Sequence, residues 1–105
     1  PQHAVCDAGH KAHAIDSGLP KLHALPAENA LRFANGGDEH GVLHPDSAAG
    51  NTRGWLPALG ETLWLIPGHC DPTVNLPDHL IGVRGGLLAG VVERIFTVDG
   101  RGALT

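Results

Sequence analysis

No apolar run in this chain approaches the roughly 20 residues that a bilayer-spanning helix requires. The opening Pro1-Gln2-His3 also lacks the charged-then-apolar layout of a secretory leader. The sequence therefore predicts a soluble, cytoplasmic protein with no membrane partner. Basic residues are scarce too: seven Lys plus Arg, scattered among eleven Asp plus Glu, give a net charge of −4 and no basic stripe, which argues against nucleic acid as a partner. The two cysteines, Cys6 and Cys70, read as free thiols in the absence of a secretory signal. No internal repeat or domain linker is evident. The initiating Met is missing as well, which predicts a piece of a longer polypeptide.

What is present favours strands. At 105 residues the chain is one domain by size, with room for a single modest core and far too short for a (β/α)8 barrel of roughly 250 residues. Fifteen Gly and eight Pro between short apolar runs predict a mainly β domain, a small antiparallel β-sheet or barrel-like unit with long Gly/Pro-rich loops and little helix. Residues 4–8 read as a short buried strand closed by Gly9, and residues 21–28, with Pro20 before them and Pro26 among them, as an extended connection without regular structure. Residues 29–34 and 39–44 flank Asn35-Gly36-Gly37-Asp38, a strong hairpin signal because the turn wants positive φ. Residues 45–60 read as a long loop with Trp55-Leu56 as a local anchor, and residues 61–67 as the clearest strand. Residues 80–84 and 90–98, joined through Gly85-Gly86, predict a second antiparallel pair. Trp55 and Trp64 are assigned to packing.

The chemistry concentrates in Pro67-Gly68-His69-Cys70-Asp71-Pro72-Thr73-Val74-Asn75-Leu76. If the chain stays extended beyond Ile66, His69 and Asp71 lie on one face and Cys70 on the other, forming a two-ligand claw for a divalent metal. One imidazole nitrogen and one carboxylate oxygen suit Zn²⁺, Mn²⁺ or Mg²⁺, and two protein ligands leave positions open for water or substrate. The plainer reading is a satisfied His beside a turn-forming Asp-Pro. Cys70 competes as a ligand only if the backbone turns there; otherwise it reads as a small buried residue. His10 with His13 and His40 with His44 have no Cys pair at zinc-finger spacing. His40, in Glu39-His40-Gly41 at a strand start, is the one placed to reach a neighbouring active site.

Taken together, Val5-Cys6-Asp7-Ala8-Gly9-His10-Lys11-Ala12, Asp38-Glu39-His40-Gly41, residues 66–76 and Gly90-Val91-Val92-Glu93-Arg94 resemble, in order, the C-terminal domain of the D-threonine aldolases. With the D-serine dehydratases these share the alanine-racemase-like fold of pyridoxal-phosphate enzymes. The resemblance runs from about Ala4 to Gly102. It implies that His69 and the residue two positions on hold a divalent cation beside the cofactor; that second residue is Cys in the dehydratase branch and Asp in the aldolase branch, and here it is Asp71. The implied reaction is retro-aldol cleavage of a D-β-hydroxy-α-amino acid to glycine and an aldehyde, with pyridoxal phosphate as electron sink and the metal acting on the β-hydroxyl. His40 is the candidate catalytic base.

The family's cofactor lysine lies in an N-terminal barrel domain, and the only lysines here are Lys11 and Lys21, neither in a matching context. The resemblance thus implies a barrel partner, a homodimer and no activity for the chain alone. Two other readings remain at this point: a dimerisation or binding module that has lost its chemistry, and a free-standing metallohydrolase in which His3, His10 or His40 adds a third ligand to His69 and Asp71.

Overall fold

The structure is a computed structural model that describes residues 2–102; Pro1, on which the expected opening partly rests, lies outside them. In chain order the elements are β1 (Ala4–Cys6), β2 (Lys21–His23), a 3-10 turn (Ala27–Asn29), β3 (Leu31–Asn35), β4 (Gly41–Pro45), β5 (Trp64–Ile66), the helix α1 (Cys70–Val74), β6 (His79–Arg84) and β7 (Val91–Thr97). All strand pairing among the described residues is antiparallel, in three small sheets. The expectation of a mainly β domain with little helix holds, in its small antiparallel-sheet form: among the described residues the sheets do not close into a barrel.

The predicted turn at Asn35-Gly36 forms the central hairpin, with Phe33 opposite Leu43 and Asn35 opposite Gly41. Asn35 accepts the Gly37 N–H on its side-chain oxygen at 2.9 Å, and Gly37 has φ of +113°, which glycine adopts without Cβ strain. β1 pairs with the other edge of β4, giving the order β1-β4-β3. Alternation along β3 turns Leu31 and Phe33 inward and Arg32 outward, and Leu43 from β4 completes the buried centre. Gly41 is required beneath the Phe33 ring, since a Cβ there would collide with it.

β2 and β5 form a second sheet in which Leu22 faces Leu65, and both pack against the Leu31–Phe33–Leu43 cluster. Residues 21–28 are therefore more regular than the flanking prolines predict. Pro20 and Pro26 only bracket a three-residue strand, which needs no periodic sequence because its hydrogen bonds come from β5. Residues 61–67 shorten to β5 and residues 4–8 to β1. The long loop is anchored as expected by Trp55 and Leu56, which pack on the core, whereas Trp64 is 39 % exposed. Asn51 fixes that loop: its amide donates to the Ala30 carbonyl at 3.0 Å and to the Trp55 carbonyl at 2.9 Å, and its oxygen accepts the Trp55 N–H at 2.8 Å.

β6 and β7 form the second predicted hairpin, with a register irregularity at Gly82/Val83. Arg84 makes two hydrogen bonds of 2.8 Å to Glu93 across it. The hairpin stands away from the rest, with the facing residues Ile81 and Ile95 each 61 % exposed. Its projection explains a radius of gyration of 15.1 Å, against about 13 Å for a compact domain of about 100 residues.

Candidate metal-binding site

The segment carrying His69 does not stay extended. His69 itself has φ −147° and ψ 118°, but it is the N-cap of α1, and Cys70–Val74 are helical. Two features favour helix here: Asp71 sits in the first turn, where a negative charge suits the helix dipole, and Pro72 falls where an N–H would have no intrahelical acceptor. The strand argument for placing His69 and Asp71 on one face is thus replaced by a different geometry, a cap residue and a first-turn residue at a helix start. Thr73 closes the turn by donating its hydroxyl to the His69 carbonyl at 2.7 Å.

Across from this helix start lies the loop preceding β2. The Ala14 N–H donates to Thr73 Oγ1 at 3.1 Å, and Asp16 places Oδ2 at 2.7 Å from Nδ1 of His69. Ser17 donates to the same Asp16 oxygen at 3.1 Å and lies 3.3 Å from Nδ1. A carboxylate can only accept, so Nδ1 carries the proton. Gly68 has no room for a side chain, because a Cβ there would run into the Gly18 carbonyl. Asp16 carries no mark in the sequence. It lies 53 residues from His69, and no local pattern connects the two.

The Asp16 hydrogen bond raises the His69 pKa above the ordinary imidazole value, opposed by desolvation and reinforced by the charges of Asp16 and Asp71. In return, the same hydrogen bond lowers the Asp16 pKa. The ion pair is half-exposed on both sides, so it contributes little to stability; its consequence is orientation. The Cys70 thiol donates to Asp71 Oδ1 at 3.3 Å. That hydrogen bond and the Asp71 charge push the Cys70 thiol up, away from the thiolate a metal needs. Cys70 is exposed, so the small buried-residue reading is wrong, although the backbone turn that could have admitted it as a ligand is present.

A divalent cation fits this donor set. Nε2 of His69 has no hydrogen-bond partner among the described residues, its opposite nitrogen donates to a carboxylate as metal-ligating histidines do, and Asp71 adds a hard oxygen close enough for its charge to act on the ring. No group of three or more His, Cys, Asp or Glu that could hold a metal occurs among the described residues. The metallohydrolase reading therefore gains no third ligand. His3 instead faces His44, with ring centroids 5.9 Å apart.

His40 is exposed at the entry to β4, and its carbonyl accepts the Gly36 N–H at 3.1 Å. Its ring has no described contact with His69. The structure does join the sequence motifs through residues 9–18. The His10 and Lys11 N–H groups donate to the Gly37 and Asp38 carbonyls at 3.2 and 2.9 Å, and Lys11 pairs with Glu39 at 2.7 Å. Residues 14–18 then grip the His69 segment. One continuous stretch thus connects the turn before His40 with the helix start at His69.

A small open β domain with a carboxylate-oriented histidine beside an aspartate at a helix start is the class of unit these observations define. The family described as "Putative serine dehydratase domain" matches residues 1–83, and the chain belongs to that family. It is 37 % identical over 102 residues to a 3-hydroxy-D-aspartate aldolase of Paracoccus denitrificans, covering 97 % of this chain and 23 % of that protein. With a D-threonine aldolase of an Arthrobacter species it is 38 % identical over 102 residues, covering 97 % of this chain and 24 % of that one. The crystal structure of D-threonine aldolase from Filomicrobium marinum superposes with a TM-score of 0.77 at 42 % identity, covering 99 % of this chain and 25 % of that one. The chain thus spans about a quarter of the length of the relatives it matches.

Proposed function

We propose that this chain is the metal-bearing C-terminal domain of a pyridoxal-phosphate-dependent lyase of the D-threonine aldolase type, which cleaves D-β-hydroxy-α-amino acids to glycine and an aldehyde. The observation that carries the reading is the His69 ring, held through Nδ1 by Asp16 at 2.7 Å, with Asp71 in the first turn of the helix that His69 caps. The names of the relatives supply the reaction class. In this reading Nε2 of His69 and a carboxylate oxygen of Asp71 hold Mn²⁺, Zn²⁺ or Mg²⁺, with coordination positions left for the substrate. When bound, pyridoxal phosphate supplies an electron sink for the carbanion at Cα, and the cation supplies Lewis acidity at the β-hydroxyl. His40 takes the β-hydroxyl proton on a ring nitrogen.

Neither Lys11 nor Lys21 stands in the sequence context of the family's cofactor lysine, and in this reading that lysine belongs to another part of the enzyme. An N-terminal barrel domain, acting within a homodimer, supplies it, and the 105 residues alone are inactive. The test is to incubate D-threonine with the intact protein, pyridoxal phosphate and Mn²⁺. Glycine and acetaldehyde are expected, with activity lost in Asp71→Ala. The description of the matching family favours a second reading, dehydration. Release of 2-oxobutanoate and ammonia in place of glycine would establish it and overturn the first.

A further inference from the structure

We infer that Asp16 is the positioning residue of the His69–Asp71 site: its carboxylate fixes the imidazole as the Nδ1–H tautomer, and the loop of residues 14–18 is built to hold that carboxylate in place. The inference deepens the proposed function and rests on His69 and Asp71 as the cation-binding pair. An isolated exposed Asp–His contact would carry no such meaning, since long-range pairs of this kind on a surface form and break freely. Here the loop has two further attachments to the His69 segment. The Ala14 N–H donates to Thr73 Oγ1 at 3.1 Å, and that hydroxyl donates to the His69 carbonyl at 2.7 Å, so a short relay joins the loop backbone to the backbone of the histidine. Gly18 lies against Gly68, the residue before His69, so closely that only glycine fits. Between these two anchors Ser17 donates to Asp16 Oδ2 at 3.1 Å, and the Gly18 N–H donates to the Ile15 carbonyl at 3.2 Å, closing the turn that carries the aspartate.

The chemistry needs this arrangement. A neutral imidazole has one donor and one acceptor nitrogen, and free histidine populates both tautomers. Only the Nδ1–H form leaves a lone pair on Nε2, and only a fixed ring plane aims it. An acceptor-only partner on Nδ1 does both, and raises the donor strength of Nε2 as well. With just two protein ligands expected, no third side chain corrects a misdirected ring. Orientation by Asp16 therefore matters more here than at a closed three- or four-ligand site.

The experiment compares the intact protein with Asp16→Ala, Asp16→Asn and His69→Gln, using two readouts. The first is the ¹⁵N chemical shifts of His69 in selectively labelled, metal-free protein, which report the tautomer. The second is calorimetric titration with Mn²⁺ alone. Wild type is expected to hold the Nδ1–H form. Asp16→Ala should convert His69 to a tautomer mixture and weaken Mn²⁺ binding about 10- to 100-fold. Asp16→Asn keeps an acceptor in place without the charge, so it should restore the tautomer and part of the affinity. Asp16 is exposed, so neither variant threatens the fold. An unchanged His69 tautomer in Asp16→Ala overturns the inference whether or not metal binds. Mn²⁺ affinity that survives Asp16→Ala but is lost in His69→Gln also overturns it, while leaving the metal site standing. Absence of Mn²⁺ binding to wild type with the tautomer shift intact removes the cation-binding reading and keeps the role of Asp16 in orienting the ring.

Discussion

His13 meets Phe33 edge-on, with ring centroids 5.3 Å apart and planes at 82°, and its buried Nδ1 has no hydrogen-bond partner among the described residues. This imidazole is packed against the core rather than placed for chemistry. Burial, helped by the nearby His10, lowers its pKa below the ordinary value. Because folding lowers the pKa, the unfolded chain binds more protons in the interval between the folded and unfolded values. The stabilisation is complete above about pH 6.5, the unfolded value, and is lost as pH falls from there through the folded one. Urea midpoints measured from pH 8 to pH 5 should fall for wild type and fall less for His13→Leu. Parallel profiles would show that His13 does not titrate with unfolding.

Asn51, 1 % exposed, connects Ala30 and Trp55 through all three of its amide hydrogen bonds. Asn51→Ala removes the bonds and leaves backbone groups near the core unpaired, so it should cost about 2–3 kcal/mol. Asn51→Asp keeps the acceptor for the Trp55 N–H but turns a negative oxygen toward two carbonyls. It should therefore destabilise at least as much as Ala. Chemical denaturation followed by Trp fluorescence measures both. A loss below about 0.5 kcal/mol for Ala would mean that water replaces the side chain.

The sequence reveals those parts of the fold that are encoded locally. Asn35-Gly36 and Gly85-Gly86 announce their hairpins because the turn chemistry and the flanking apolar runs are adjacent in the chain. β2 has no such signal: Lys21-Leu22-His23 becomes a strand only because Leu65 waits opposite Leu22. The same distinction divides the candidate site. His69 and Asp71 stand out as a short motif, yet the helix start that presents them is marked only by Asp71-Pro72, a pair that equally suits a turn. Asp16 is invisible to local reading, since its meaning comes from the contact with His69 and from the packing of Gly18 on Gly68.

Gly68 offers a test of whether that packing matters that leaves every side chain of the candidate site in place. A methyl group at this position meets the Gly18 carbonyl, which is backbone and cannot rotate aside as a flexible side chain would. The cheapest relief is movement of the exposed loop at residues 16–18, which draws Asp16 away from the His69 ring. Neither Gly68 nor Gly18 belongs to the Leu31–Phe33–Leu43 cluster, so the core should be untouched. Gly68→Ala is therefore expected to shift the unfolding midpoint little while weakening Mn²⁺ binding by about tenfold, the lower end of what loss of an orienting partner costs. Calorimetric titration beside thermal denaturation separates the two effects. If affinity is retained, the loop accommodates the methyl without moving Asp16; if stability and affinity collapse together, the contact between Gly18 and Gly68 holds up the domain rather than the site.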